Sequence, residues 1–378
     1  MVCLCLQVCL AQTGHTAAAH PDPRQIFQQA LTEQQQGDLQ AAARNYEELL
    51  RLQPHLLAAE ANLGTVLAGL GHFNAAIAHD RAALGLAPGN TGLLLNLGLA
   101  YYKKNDFVHA SEQFHRVHEA APGDLRVAIL LGECELHLNH AAEAVALLQP
   151  FEANHAGDLD LAWVFGRALI RDGHASEGVQ QVVQVARQRQ SAEAWTLAAR
   201  TYLGIEDFDH ARSSVDNALR LNPRLPGIHT LDGRIDAFEG QDDRAAEAFR
   251  QALAATPKDA EALTDLGTVL YAKHQMEEAA ADLEEALHLQ PASTLARYEL
   301  ARVAAAQGKT AAAIQHLEEV ERAKPQWLKP HIELAALYFR AKRARDGMRE
   351  RRIVDRLSAG QQAHPAPPSD FSAAVPAP

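Results

Sequence analysis

Seven prolines, Pro54, Pro88, Pro122, Pro223, Pro257, Pro291 and Pro325, stand on one lattice. Their successive separations are 34, 34, 101, 34, 34 and 34 residues, and 101 is one residue short of three periods. A 34-residue period closed by proline constrains the fold more than any other property of the chain. It specifies a helical solenoid, in which each repeat packs on its neighbours and no separate globular core is built. In register, the repeats start at Pro23, Leu57, Thr91, Leu125, Leu159, Ala192, Pro226, Ala260 and Thr294, and a partial tenth starts at Leu328.

Within each repeat the small and large residues alternate in a fixed pattern. Position eight is small (Gly64, Gly98, Gly132, Gly166, Gly233 and Gly267, with Ala elsewhere), and so is position twenty (Ala42, Ala76, Ala110 and their equivalents). Position twenty-four is usually bulky, as in Tyr46, Phe114, Leu148, Phe249 and Leu283. Two small residues let two antiparallel helices approach closely, and the bulky one fills the space beside them. Position fifteen is Gly or Asn in seven of ten repeats, the residues that enter the left-handed conformation cheaply and end a helix. Glu206, His274 and Lys342 break that rule, so their turns are expected to be strained or differently shaped. The prolines stop each second helix.

The pattern resembles the tetratricopeptide repeat family. The clearest repeat is Thr91 to Asp124, with Leu97-Gly98-x2-Tyr101, Ala110-x3-Phe114 and Pro122, and Trp195-x3-Ala199-x2-Tyr202 carries the aromatic pattern in the sixth repeat. The resemblance covers about residues 23 to 357. It implies an all-α fold, a right-handed superhelical solenoid of antiparallel helix pairs with a concave groove lined by the first helices. The fifth repeat departs most: Gly178 replaces Ala, the closing proline is missing, and residues 180–190 are glutamine-rich. It reads as a local irregularity or as a joint between two halves.

The expected organisation is a signal peptide at 1–11, a linker at 12–22, repeats one to five at 23–190 and repeats six to nine at 191–325. A partial repeat with capping helices follows at 326–357, then a Pro/Ala-rich disordered tail at 358–378. The first segment, Val2 to Leu10, is an apolar run followed by Ala11, in the manner of a cleaved secretory signal, although no Lys or Arg precedes it. The expected location is therefore outside the cytoplasm, in a bacterial periplasm or secreted. It is cytoplasmic if that run is no signal. Cys3, Cys5 and Cys9 fall in this run, leaving Cys134 as the sole thiol of a processed chain, with no disulfide required.

Composition removes several functions. The net charge of −12 argues against nucleic-acid partners, which select a basic excess. No apolar stretch is long enough for a transmembrane helix. There is no phosphate loop of the form G-x-x-x-x-G-K-[ST], no H-E-x-x-H and no G-x-S-x-G, so no enzyme is expected. No cofactor is expected either. The chain has 19 histidines, and His115 and His118 have metal-ligand spacing on one helix, but the histidines are scattered and read as surface residues. Cys134 reads as a small packed residue. Arginines 340 to 356 read as the solvated face of a capping helix.

What remains is a protein-binding scaffold or assembly factor that holds partner segments in the groove. The alternative is a recruiting subunit of an envelope-biosynthesis or cytochrome-assembly enzyme complex. The resemblance implies that position nine of the first helix faces the groove, flanked by positions five and twelve. Arg167, Arg200, Arg234 and Arg302 occupy position nine in four of the last five full repeats, with Trp163 and Tyr298 at position five. Inner helices about 8–10 Å apart would space this ladder to match carboxylates every third residue of an extended peptide, which rises about 3.3 Å per residue. Alternatively each Arg pairs inside the protein with Glu193, Asp232, Asp236, Asp265 or Glu299. The early groove is apolar, with Leu95, Leu99, Tyr102 and Ile129. The expected partner is therefore an extended protein segment with acidic character.

Overall fold

The computed structural model describes residues 22–363. The apolar segment 1–11 and residues 364–378 lie outside the described residues, and with them the signal peptide and most of the proline-rich tail. Among the described residues there are twenty helices and no strand. The chain divides into two compact units at residues 147 and 148.

The N-terminal unit holds α1 (Pro23–Gln35), α2 (Leu39–Leu52), α3 (Leu57–Gly69), α4 (Phe73–Leu86), α5 (Thr91–Lys103), α6 (Phe107–Ala120) and α7 (Leu125–His137). The division falls inside α8 (Ala141–Glu152), which carries Pro150 near its C-terminal end. The C-terminal unit continues with α9 (Leu159–Arg171), α10 (Ala175–Arg189), α11 (Ala192–Gly204), α12 (Phe208–Leu221), α13 (Ile228–Phe238) and α14 (Asp242–Ala255). It closes with α15 (Ala260–Ala272), α16 (Met276–Leu289), α17 (Thr294–Ala306), α18 (Thr310–Ala323), α19 (Leu328–Arg340) and α20 (Ala344–Ala363). Within each unit, odd and even helices pack as antiparallel pairs, and each pair packs on the next. The last helix continues past Ser358 to Ala363.

Local chemistry sets the ends of these helices. Asp124 accepts hydrogen bonds from the backbone of Arg126 and Val127 at the start of α7, and Asp259 does the same for Glu261 and Ala262 at the start of α15. At the other end, the residue before each closing proline leaves the helical region: ψ is 78° at Gln53, 74° at Ala87 and 91° at Asn222. The proline ring forces this on its predecessor. Between the helices of every pair, position fifteen has positive φ in all ten repeats, between 60° at Lys342 and 89° at Gly173. Glu206, His274 and Lys342, at 61°, 60° and 60°, adopt the same turn as the glycines. Their turns are not differently shaped; the departure is strain alone.

The small-to-large pattern is the core. A Cβ added to Gly98 would lie 2.6 Å from the Phe114 ring, and one added to Gly233 would lie 2.7 Å from Phe249. In the fifth repeat, two glycines face one another. A Cβ on Gly178 would come within 2.5 Å of the Gly166 carbonyl oxygen and 2.9 Å of the Ile170 nitrogen, so α9 and α10 touch backbone to backbone. The missing proline of that repeat is Gln190, at φ 50°, a value proline cannot adopt. This left-handed residue ends α10 and enters α11 in one residue fewer, which accounts for the 101-residue step.

At the C-terminus, α20 is held by a buried ion-pair group. His331, 1% exposed, bonds through Nδ1 to Glu350, 0% exposed, at 2.8 Å, and through Nε2 to the Pro325 carbonyl at 3.0 Å. Arg349 closes on the other oxygen of Glu350 at 2.8 Å.

Candidate functional site

In the N-terminal unit, Leu95, Leu99 and Tyr102 are half-buried and pack against the core, Tyr102 meeting Phe107 edge-on with ring centroids 5.6 Å apart. Ile129 on α7 is also half-buried. This unit therefore offers an apolar inner face whose residues are partly committed to packing.

The C-terminal unit holds the four arginines, and they differ. Arg167 lies over the Trp163 ring, 5.4 Å from its centroid. Arg234 donates through Nε to Asp265 at 2.6 Å and through Nη2 to Glu261 at 3.0 Å. Arg302 donates to Glu299 at 2.6 Å and stacks 4.5 Å from the Tyr271 centroid. Tyr298 is buried, and its hydroxyl donates to Glu333 at 2.7 Å. Asp232 and Asp236 are taken by a different arginine, Arg212, at 2.6 and 2.5 Å. Arg200 makes no hydrogen bond or ion pair with a described residue. Burial pushes its guanidinium below the ordinary value, opposed by Glu261 and reinforced by Arg234.

Two adjoining pockets share Arg200, Leu231 and Arg234 in their walls. One is polar and runs from Gly227 and Thr230 to Lys258 and Glu261. The other is apolar and is walled by Leu203, Phe208 and Phe238, whose two rings stack with centroids 3.3 Å apart. Gly227, Lys258, Phe208 and Phe238 are absent from the ladder expected at position nine. The available sign was Pro226-Gly227 at the head of the seventh repeat, a pair that delays a helix.

The described residues contain one group with ligand atoms close enough to hold a metal, Glu321, His331 and Glu350, all within 4.8 Å. Two of its three members are already engaged: both ring nitrogens of His331 and both oxygens of Glu350 have protein partners. His115 lies beside a carboxylate instead, with Nε2 3.6 Å from Glu135. Cys134 is buried, and burial pushes its thiol up to about 12, which suits a packing role and opposes thiolate chemistry. No helix among the described residues is long and apolar enough to cross a membrane.

A tetratricopeptide repeat model matches residues 27–91, 95–158, 238–286 and 264–326, and a second such model matches 192–225. The cell division cycle protein 27 homolog of Caenorhabditis elegans is 27% identical over 106 residues, 28% of this chain and 13% of that protein. The Vi polysaccharide export protein VexE of Salmonella typhi is 26% identical over 200 residues, 49% of this chain and 30% of that protein. The chain thus spans less than a third of either relative. Among solved structures, the APC/C hetero-tetramer Cut9–Hcn1 contains a chain that superposes with a TM-score of 0.53 at 16% identity, over 89% of this chain and 74% of that one. That likeness concerns the fold.

Proposed function

The chain belongs to the tetratricopeptide repeat family, and from that premise we propose that it is a non-catalytic scaffold holding extended segments of partner proteins on the inner faces of its first helices. The observation that carries this reading is the inner face of the C-terminal unit, where Arg200, half-buried and unpaired with any described residue, borders two pockets. A guanidinium without an internal partner is a receptor for an acidic side chain. The apolar inner face of the N-terminal unit suits apolar stretches of a partner.

The test is charge reversal, Arg200→Glu with Arg234→Glu, followed by capture of partners from the native envelope fraction. Partners held by the inner face are lost from the double variant and from wild type at high salt. An unchanged set that ignores salt would overturn the reading. Export is part of the same proposal: a full-length fusion should lose about its first eleven residues and leave the cytoplasm, in line with the signal-like apolar run. Recovery of cytoplasmic protein that keeps the run would refute it.

One observation favours a second reading, a recruiting subunit of an envelope polysaccharide complex. It is the 200-residue likeness to a protein described as a polysaccharide export protein. Stoichiometric co-purification with a polysaccharide-modifying or polysaccharide-transporting enzyme supports it, and its absence from such complexes removes it.

A further inference from the structure

We infer that the paired pockets on α11, α13 and α15 form a recognition site for one step of a partner chain, a large apolar or aromatic residue beside an Asp or Glu. This rests on the scaffold reading above and specifies which segment the scaffold selects. The site arises from a shortened helix. α13 begins at Ile228, two residues into its repeat, because Pro226 and left-handed Gly227 (φ 80°) replace the first half-turn. The guanidinium of Arg200 fits beside this turn, and a Cβ on Gly227 would stand 3.9 Å from its Nη2.

The same late start leaves a hydroxyl without an acceptor. Thr196 and Thr264, at the equivalent position on α11 and α15, donate to the carbonyls of Ala192 and Ala260 four residues back. For Thr230 that carbonyl belongs to Pro226, outside the helix. Thr230 is 5% exposed, lines the polar pocket, and its Oγ1 has no partner. A buried hydroxyl without a partner is costly, and an acceptor entering the pocket removes the cost. Lys258 lines the same pocket without an ion pair to a described residue. The acids in its wall are committed, Glu261 to Arg234 and Asp259 to the first turn of α15. Asp265 also holds Arg234, so Arg200 and Lys258 are the two cations of the wall to which no described carboxylate is bonded, and a carboxylate entering the pocket finds them and the Thr230 hydroxyl.

The apolar pocket adjoins directly across Arg200. Phe238 forms its wall and is 62% exposed, the most exposed large hydrophobic among the described residues. A side chain seated against the stacked Phe208 and Phe238 rings removes that surface from water. A chain crossing the inner face and turned at this step, so that two consecutive side chains share one side, thus places an apolar residue on the rings and the carboxylate of its neighbour between Arg200 and Thr230.

The test uses hexapeptides blocked at both ends, with Phe-Asp, Phe-Asn or Ala-Asp at the centre and Ala elsewhere, titrated against the full chain by fluorescence anisotropy. Phe-Asp should bind about tenfold or more tighter than either of the others. Arg200→Gln should erase the difference between Asp and Asn, Thr230→Val should reduce it, and Phe238→Ala should erase the difference between Phe and Ala. Circular dichroism of each variant checks that it is folded. Equal binding of Phe-Asp and Phe-Asn overturns the proposal. So does the absence of any binding at millimolar peptide. If the double charge reversal still releases protein partners while the peptides show no discrimination, the scaffold reading stands and this site alone fails.

Discussion

Asp80 on α4 occupies position twenty-four, which other repeats fill with Tyr46, Phe114 or Leu283. It faces Gly64, is 1% exposed, and its Oδ1 has no partner. Burial pushes the carboxyl up from 3.8 to about 7, against the opposing pull of His79. The folded state therefore keeps this proton to higher pH than the unfolded chain. The associated stability is complete below the unfolded value of 3.8, declines as pH rises through about 7, and is constant above. Asp80→Leu places leucine against glycine as Leu283 meets Gly267. Melts at pH 5 and pH 8 should show a wild-type loss that the variant lacks, with the variant more stable by about 1–3 kcal/mol at pH 8. Identical pH profiles would contradict this account. The left-handed residues carry a second prediction: Glu206→Gly, His274→Gly and Lys342→Gly should each raise stability by about 0.5–1 kcal/mol in denaturant unfolding. The glycines at position fifteen were legible because they enter this conformation freely. The shape at Glu206, His274 and Lys342 was not, because the flanking helices impose it against the residue's own preference.

The helix pair is the element in which the repeat pattern acts. Gly98→Leu drives a side chain into the Phe114 ring and should cost about 1–3 kcal/mol, since the ring can shift only at the expense of its own packing. Gly178→Ala adds a single carbon but meets the Gly166 carbonyl and the Ile170 nitrogen, which are backbone. Its cost should therefore rival that of Gly98→Leu and greatly exceed that of Gly204→Ala, whose added carbon meets nothing within 4 Å. Chemical unfolding of the three variants measures the order. The fifth repeat looked irregular in sequence, with Gly178 and no closing proline. Gly178 is instead what the backbone contact of α9 with α10 requires, and Gln190 makes the turn in the proline's place. The proline lattice was legible because ring geometry acts on the adjacent residue, whereas the two-glycine contact depends on residues twelve apart meeting face to face.

At the scale of the whole chain, stability is shared between neighbouring pairs, so the ends of an array should open first. In the N-terminal unit, amides of α1 and α2, which among the described residues pack on one neighbouring pair, should exchange faster than those of α5 and α6; uniform protection would refute the additive picture. The all-α class and the starts of most first helices were determined by sequence alone, because capping, proline and small-to-large spacing act within one repeat; the late start of α13 and the run of α20 to Ala363 were not. The fate of the position-nine arginines was decided by tertiary structure. Arg234 and Arg302 stand in the same pattern as Arg200, yet carboxylates from their own or the next repeat reach them. Those carboxylates lie 31 residues on for Arg234 and three back for Arg302, and no rule of spacing selects among them. The pocket at Arg200 depends on a half-turn missing from α13 in the next repeat. Helices obey local chemistry; an open guanidinium is defined by what fails to reach it, which only the packed chain specifies.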